Sequence, residues 1–432
     1  TTGVNKTSVG GLSLDANTTG NSNSAFGYSS LGANTDGLRN TAMGAESLAA
    51  NTTGDDNVAI GEDALAANTT ASNNTAVGND ALKANTTGSE NTAVGKNAAD
   101  QVTTGEDNTA IGYAALGECT TGDSNTAVGR SALNNNTTGH SNTAVGVQSQ
   151  EDTSTGVRNT SIGMNSMLQN TSASDNTALG YAALQENTTG ADNVAVGKDA
   201  LLNNTTAANN TAVGYDALQA TTTGHNNTAV GRSAIDSLTT GTYNTGVGVV
   251  TLHQVTTGIR NTAIGYDAGG NVTTGNYGIY LGMEAKASSA TTDEIVIGYA
   301  ATGKGNNTGF IYPPGGGAMY QATNATTWSQ VSDERIKKNI VDNNDGLNKL
   351  KDIQVRNFEY RTLEEITDFD NPSSAVVDKE GIQLGVIAQE IETILPDMVI
   401  TQSTGVKTVS NDNLTWYLVN AVKELSTQVD EL

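Results

Sequence analysis

Asn74-Thr75-Ala76-Val77-Gly78-Asn79-Asp80-Ala81-Leu82-Lys83-Ala84-Asn85-Thr86-Thr87-Gly88-Ser89-Glu90 is one unit of a sequence repeat, and its first glycine gives the period. Gly78 stands 17 residues after Gly61 and 17 before Gly95, and the same step runs without insertion or loss from Gly10 to Gly282; Gly298 follows after 16. A constant period means that each unit occupies the same space as its neighbour, so the chain is a stack of coils. The residue before each periodic glycine is always apolar, from Val9 and Phe26 to Leu281 and Ile297. Four residues after the glycine stands a leucine in many units (Leu14, Leu31, Leu48, Leu65, Leu82), with departures at Ala99, Gln150, Gly269 and Lys286. Asn opens the first block fifteen times running, from Asn23 to Asn261. A second glycine lies ten residues after the first (Gly20, Gly54, Gly88), replaced by Ala71, Ala173 or Ala207 in some units.

These blocks read as short strands cut by turns. Neither segment is long enough for a helix, and glycine at such short intervals penalises one repeatedly. Gly and Asn are expected to supply the corners with positive φ. The fold class is therefore mainly β: a repetitive parallel β-solenoid or β-roll shaft, with strands pairing coil to coil about 4.8 Å apart and eighteen coils spanning roughly 80 Å. Each coil is expected to bury one Val, one Leu and some Ala. That is a thin core against a backbone entropy of about 1–2 kcal/mol per residue, so three chains sharing a core are expected. A monomeric solenoid held by asparagine and threonine ladders is the alternative.

Composition bounds the function. The 432 residues carry a net charge of −24, 49 Gly, four Pro and 4% aromatics. From Ser332 onward there are ten Lys and Arg against nineteen Asp and Glu, which leaves −15 on the preceding residues. Spread acidity disfavours a nucleic-acid partner. Nothing resembles a signal peptide or a membrane span, so no membrane insertion is expected. The sequence starts at Thr1-Thr2-Gly3, inside a repeat and without Met, so further sequence upstream is expected. Cys119 is alone at a position usually held by Asn or Thr, which suits a structural stand-in better than a reactive thiol. His140 and His225 lie five coils apart, too far for a joint metal site, and no metal or cofactor is implied.

The repeat occupies 1–298. Residues 299–331, with Pro313-Pro314-Gly315-Gly316-Gly317, read as a connector. From Ser332 the composition becomes ordinary, with Phe358, Tyr360, Trp416 and many Leu and Ile, and marks a smaller α+β domain over 332–432. Its last stretch carries Leu418, Val422, Leu425, Val429 and Leu432 in the a/d spacing of a coiled-coil helix. An amphipathic helix packed on its own domain has the same pattern.

Ser332-Asp333-Glu334-Arg335-Ile336-Lys337-Lys338-Asn339-Ile340 opens this domain. Ser and Asp suit a helix N-cap, and a Ser and a Lys five apart are weak grounds for catalysis. The segment nonetheless meets each fixed position of the pattern Ser-Asp-x-Arg-x-Lys-x-Asn-Ile. It resembles the start of the intramolecular chaperone domain of phage endosialidases and tail spikes, the S74 peptidase family. Further matching blocks follow in order: Leu350–Ile353, Phe358–Tyr360, Gly385–Ile391, Leu395-Pro396 and Ala421–Leu425. The resemblance implies a domain that trimerises, templates the folding of the β-rich fibre before it and then cuts itself off between Val331 and Ser332. It implies Ser332 as nucleophile and Lys337 as general base, a single-turnover serine endopeptidase with no external substrate. A lysine base must be kept neutral by burial or by a cationic neighbour such as Arg335 or Lys338. Separately, the Asn-Thr-Ala-Val-Gly blocks resemble the head repeats of trimeric autotransporter adhesins, whose repeats are shorter than 17 residues.

The leading expectation is a homotrimeric fibre, on a virion as a tail fibre or on a cell surface, that binds a host-surface glycan or protein receptor. A bacterial adhesin that retains its chaperone is a variant of it. A glycan-cleaving enzyme needs paired carboxylates in a cleft with aromatic platforms, and the shaft has few aromatics. An ice- or surface-binding array is the other class, because Thr52-Thr53, Thr86-Thr87 and Thr188-Thr189 recur at constant spacing. Asn-x-Thr sequons such as Asn51, Asn85 and Asn136 follow from the repeat without glycosylation.

Overall fold

Each coil contributes one three-residue strand, and the strands carry the stack. The computed structural model describes residues 2–313, 319–321, 329–330, 334, 337–367, 377, 379–402, 405–411 and 413–431. Seventeen three-residue strands run from Thr7–Val9 through Thr75–Val77 to Ile279–Leu281. Successive strands pair in parallel one period apart: Thr75 lies beside Thr92, Ala76 beside Ala93 and Val77 beside Val94. The turns bond in the same direction. Leu82 N–H donates to the Ala98 carbonyl at 3.0 Å and Thr86 N–H to the Thr103 carbonyl at 2.9 Å. The first unit is thus a parallel β-solenoid of 17-residue coils, in which most backbone groups bond to the neighbouring coil.

The corners meet the sequence expectation in part, since the periodic glycines and Asn73 and Asn97 take positive φ. Gly78 takes φ 140°, but Asp80, Leu82 and Glu90 take φ 59°, 50° and 63°. The leucine position is left-handed in each coil from Leu14 to Gly269. That conformation costs about 1–2 kcal/mol for a residue with a side chain, and complete burial of the leucine offsets it. Gly88 is no corner. A Cβ there would lie 2.1 Å from the Gly105 carbonyl oxygen and 2.7 Å from Asn85 Oδ1, so the position is held small by the close approach of neighbouring coils.

The core is also different. Ala76, Ala81 and Leu82 are fully buried, while Val77 and Thr75 are only half-buried. Alternate strand residues face opposite sides, and the inward one is the middle alanine. The expected buried valine is therefore corrected: the coil interior is narrow enough to take a methyl there, and the valine stands outside.

Two asparagine ladders complete the interior. Asn74 N–H donates to Asn57 Oδ1 at 3.0 Å, and Asn74 Nδ2 donates to the Gly88 carbonyl at 3.0 Å. This pattern repeats from Asn40 on Asn23 to Gly278 on Asn261. In the second ladder Asn85 Nδ2 donates to Asn68 Oδ1 at 3.0 Å and to the Gly88 carbonyl at 2.9 Å. Asn51, Asn85 and Asn136 belong to it and are fully buried, so the folded chain offers none of these sequons to a glycan. Cys119 takes one rung: its Sγ accepts from Asn136 Nδ2 at 3.9 Å and donates to the Gly122 carbonyl at 3.7 Å. The first threonine of each pair is engaged as well, since Thr86 Oγ1 donates to the Thr103 carbonyl at 3.0 Å.

Two departures of the core from the repeat stand out. Ser149, Gln150, Ser161 and Ser166 form a buried polar layer between the apolar clusters Leu14–Ala144 and Met167–Phe310. Near the end, Tyr280 replaces the inward alanine. Gly269 and Gly278 make room for it: a Cβ on either would fall within 3 Å of its ring. The departure at Gly269 is thus the complement of Tyr280. Strands Glu294–Gly298 and Thr308–Tyr312 then continue the parallel sheet, and Met319–Gln321 and Ser329–Gln330 follow antiparallel. The described part of 299–331 therefore adds strands to the shaft's own sheet. The chain divides into two compact units, Thr1–Val331 and Ser332–Leu432.

Gly78→Ala should lower stability by at least about 2 kcal/mol, because a Cβ at φ 140° would also meet the Gly95 carbonyl oxygen at 2.4 Å. A thermal midpoint equal to that of the parent would contradict the stacking described. Burial pushes the Cys119 thiol up to about 11. A thiol reagent at mildly alkaline pH should leave it unlabelled until denaturant is added. Cys119→Asn, which restores the rung, should raise stability by about 1 kcal/mol in denaturant titration.

Candidate functional site: the C-terminal unit

Among its described residues the second unit has three α-helices and two antiparallel strand pairs. Helix α1 is Leu347–Lys351, α2 is Ala388–Ile394 and α3 is Leu414–Asp430. Arg356–Phe358 pairs antiparallel with Gln383–Gly385, and Val399–Thr401 with Lys407–Val409. The small core holds Ile391, Leu395, Met398 and Tyr417, with Leu350, Ile353 and Val386 packed on it.

Polar contacts fix the helices. Tyr417 donates its hydroxyl to the Asp397 carboxylate at 3.1 Å, and Asn413 Nδ2 donates to the same group at 3.0 Å. Burial and this acceptor raise the Tyr417 hydroxyl pKa above the ordinary tyrosine value. Leu347 N–H donates to Glu424 at 3.1 Å, and Asn420 Nδ2 donates to the Asn343 and Asp345 carbonyls at 2.8 and 3.0 Å. Gly346 permits this contact, since a Cβ there would lie 2.5 Å from the Ala421 nitrogen. Arg356 grips Glu390 through two bonds, at 2.9 and 3.2 Å.

The matching blocks of the sequence find structural roles here. Leu350 and Ile353 line the core, Phe358 and Tyr360 meet edge to face at 5.3 Å, and Leu395 is fully buried. A Cβ on Gly385 would lie 3.0 Å from the Phe358 ring. Ala421 and Glu424 hold α3 on the segment before α1. These blocks carry the fold of the domain.

Of the motif that opens the domain, Ser332, Asp333, Arg335 and Ile336 lie outside the described residues, as does Val331 before it. Lys337 is exposed, and its backbone N–H donates to the Glu334 carbonyl at 3.0 Å. Among the described residues no group of three or more His, Cys, Asp and Glu is placed to hold a metal, and no helix is long and apolar enough to cross a membrane.

The heptad seam is turned outward. Tyr417 and Ala421 form the buried face of α3, whereas Leu418, Val422, Leu425 and Val429 are exposed along with Trp416. The helix thus uses a different face for its own domain, and its a/d stripe is left bare.

Comparison with known proteins bears on this unit alone. Residues 332–400 match the peptidase S74 family, described as the chaperone of endosialidase. No curated protein and no solved structure matches the chain. A long parallel β-solenoid followed by a segment similar to the endosialidase chaperone fits a tail-fibre-type protein with an S74 chaperone domain.

Proposed function

We propose that the chain is the shaft of a trimeric fibre whose C-terminal domain templates assembly and then releases itself by cleavage between Val331 and Ser332. The observation that carries this reading is a coincidence of boundaries. The match to the chaperone family begins at Ser332, and the chain divides into compact units between Val331 and Ser332. Endosialidase-type chaperone domains are associated with trimer formation. The bare a/d seam of α3 is a surface for such an assembly.

The chemistry is an acyl transfer within the chain. Ser332 Oγ attacks the Val331 carbonyl carbon while Lys337 Nζ takes the hydroxyl proton. The C–N bond breaks, the Ser332 amine leaves with that proton, and Val331 is held as an ester. Water then adds to the ester, freeing the Val331 carboxylate and restoring the hydroxyl. A lysine acts as a base only when it is kept neutral, which burial favours. Lys337 is exposed in the single chain, so packing of three C-terminal domains supplies that burial, and cleavage follows assembly. Release then leaves the shaft kinetically trapped, because its template is gone.

The mature fibre is extracellular, as a phage tail fibre or a cell-surface adhesin, and meets a host glycan or protein. The threonine-ladder alternative loses ground. The first threonine of each pair donates its hydroxyl to the next coil, so only one of the two presents a free hydroxyl.

Full-length chain expressed in cells should yield two fragments, one ending at Val331 and one starting at Ser332. Ser332→Ala should remain whole while keeping the parent's assembly state. Intact mass spectrometry reads both; an uncleaved parent chain would overturn the protease assignment.

A further inference from the structure

The outward face of the strands is uncharged along the whole shaft, and one of its two positions is always apolar. The residue before each periodic glycine is Val, Ile, Leu, Met or Phe in all eighteen coils. It is nonetheless open to solvent: Val9 is 56% exposed, Met43 45%, Ile111 41%, Ile162 41% and Ile264 48%. The other outward position, two residues earlier, is Thr, Val or Ile in every coil except for Ser24. No charged residue stands at either position, although the chain holds 66 of them.

Strand preference does not account for this. Thr and Tyr suit a strand as well as Val does, yet neither is ever found before the glycine. A water-facing ladder should accept both, and Lys or Glu besides. Depletion of charge with retention of bulky apolar side chains is the signature of an interface core. The area agrees. At about 50 Å² per position the ladder exposes about 900 Å², above the few hundred Å² a monomer ordinarily leaves bare and near the 800 Å² that each partner buries in a specific interface.

We propose that copies of this chain pack on one another through this face, the Val/Ile ladder of each shaft against those of its neighbours at the same height. A second copy is the occupant because the ladder needs a partner with the same coil rise over its full length, and the chain itself has that rise. Charge points the same way. Shafts carrying −15 each can lie side by side only if their charges are kept off the seam, and on these strands they are. Each chain thus has an alanine–leucine core of its own and contributes a second, shared one. The proposal deepens the fibre reading and rests on it only for the number of chains.

The test uses full-length chain with Cys119→Ser. Ile111→Cys is compared with Thr104→Cys, which lies on the exposed second threonine of its coil. A bifunctional thiol cross-linker spanning about 10 Å, the separation of facing sheets, should join chains through 111 to 111 and leave the Thr104→Cys protein as single chains in denaturing gels. Equal cross-linking of the two variants, in a protein that light scattering shows to be multimeric, would overturn this face and leave the fibre reading standing. A single-chain mass together with normal release at Val331 would overturn the shared seam but not the protease. Independently, Val94→Asp with Ile111→Asp should lower the temperature at which the multimer dissociates, while Thr87→Asp with Thr104→Asp should not. An equal fall in both pairs would contradict the proposal.

Discussion

Fifteen coils of the shaft, from Asn23 to Asn261, each carry an asparagine that belongs to two coils at once. Asn57 takes the Asn74 N–H on its Oδ1 and gives its own Nδ2 to the Ala71 carbonyl. Both groups are sealed from water, and an unmet buried amide costs about 1–3 kcal/mol. One added or deleted residue would displace the amide from its acceptors and open that deficit in the coil above as well. The strict period is therefore a consequence of the ladder. Where the second ladder changes partner, orphan acceptors appear: Asn85, Asn136 and Asn204 each have an Oδ1 without a hydrogen bond beneath Val102, Thr153 and Thr221.

The ladder stacks coils within a chain but does little to align one chain with another. Neighbouring coils are nearly identical, so shafts displaced by one coil would meet almost as well. A domain of distinctive sequence at one end removes that degeneracy. The C-terminal unit has such a sequence, an uncovered apolar seam on α3 and a family match that starts at its first residue. In the proposed reading shaft and template divide the work: the coils supply length, and the end domain supplies register once and is afterwards dispensable.

Much of this was legible in the sequence, and the misses have physical causes. The glycine step gave the coil, because neighbouring coils leave no room for a Cβ at Gly78 or Gly88. The left-handed leucines were not legible, since intrinsic preference argues against them and only burial in the finished coil explains them. The direction of Val77 was not legible, since apolarity alone does not mark burial. The clue was its neighbour: a strand whose middle residue is nearly always alanine has its narrow side inward. In the C-terminal unit the motif blocks located the core residues Leu350, Ile353 and Leu395. They could not show that Lys337 would stand exposed, because the motif fixes residue types and not their burial.

Mass per unit length, read from unstained shafts by scanning transmission electron microscopy, tests the central claim most directly. One coil of about 1.7 kDa for each rise of about 4.8 Å gives about 0.36 kDa per Å for one chain, and three chains in register give about 1.1 kDa per Å. The account predicts the higher value, constant along the rod. A constant value near 0.36 kDa per Å would mean that the coils stand alone and would contradict it.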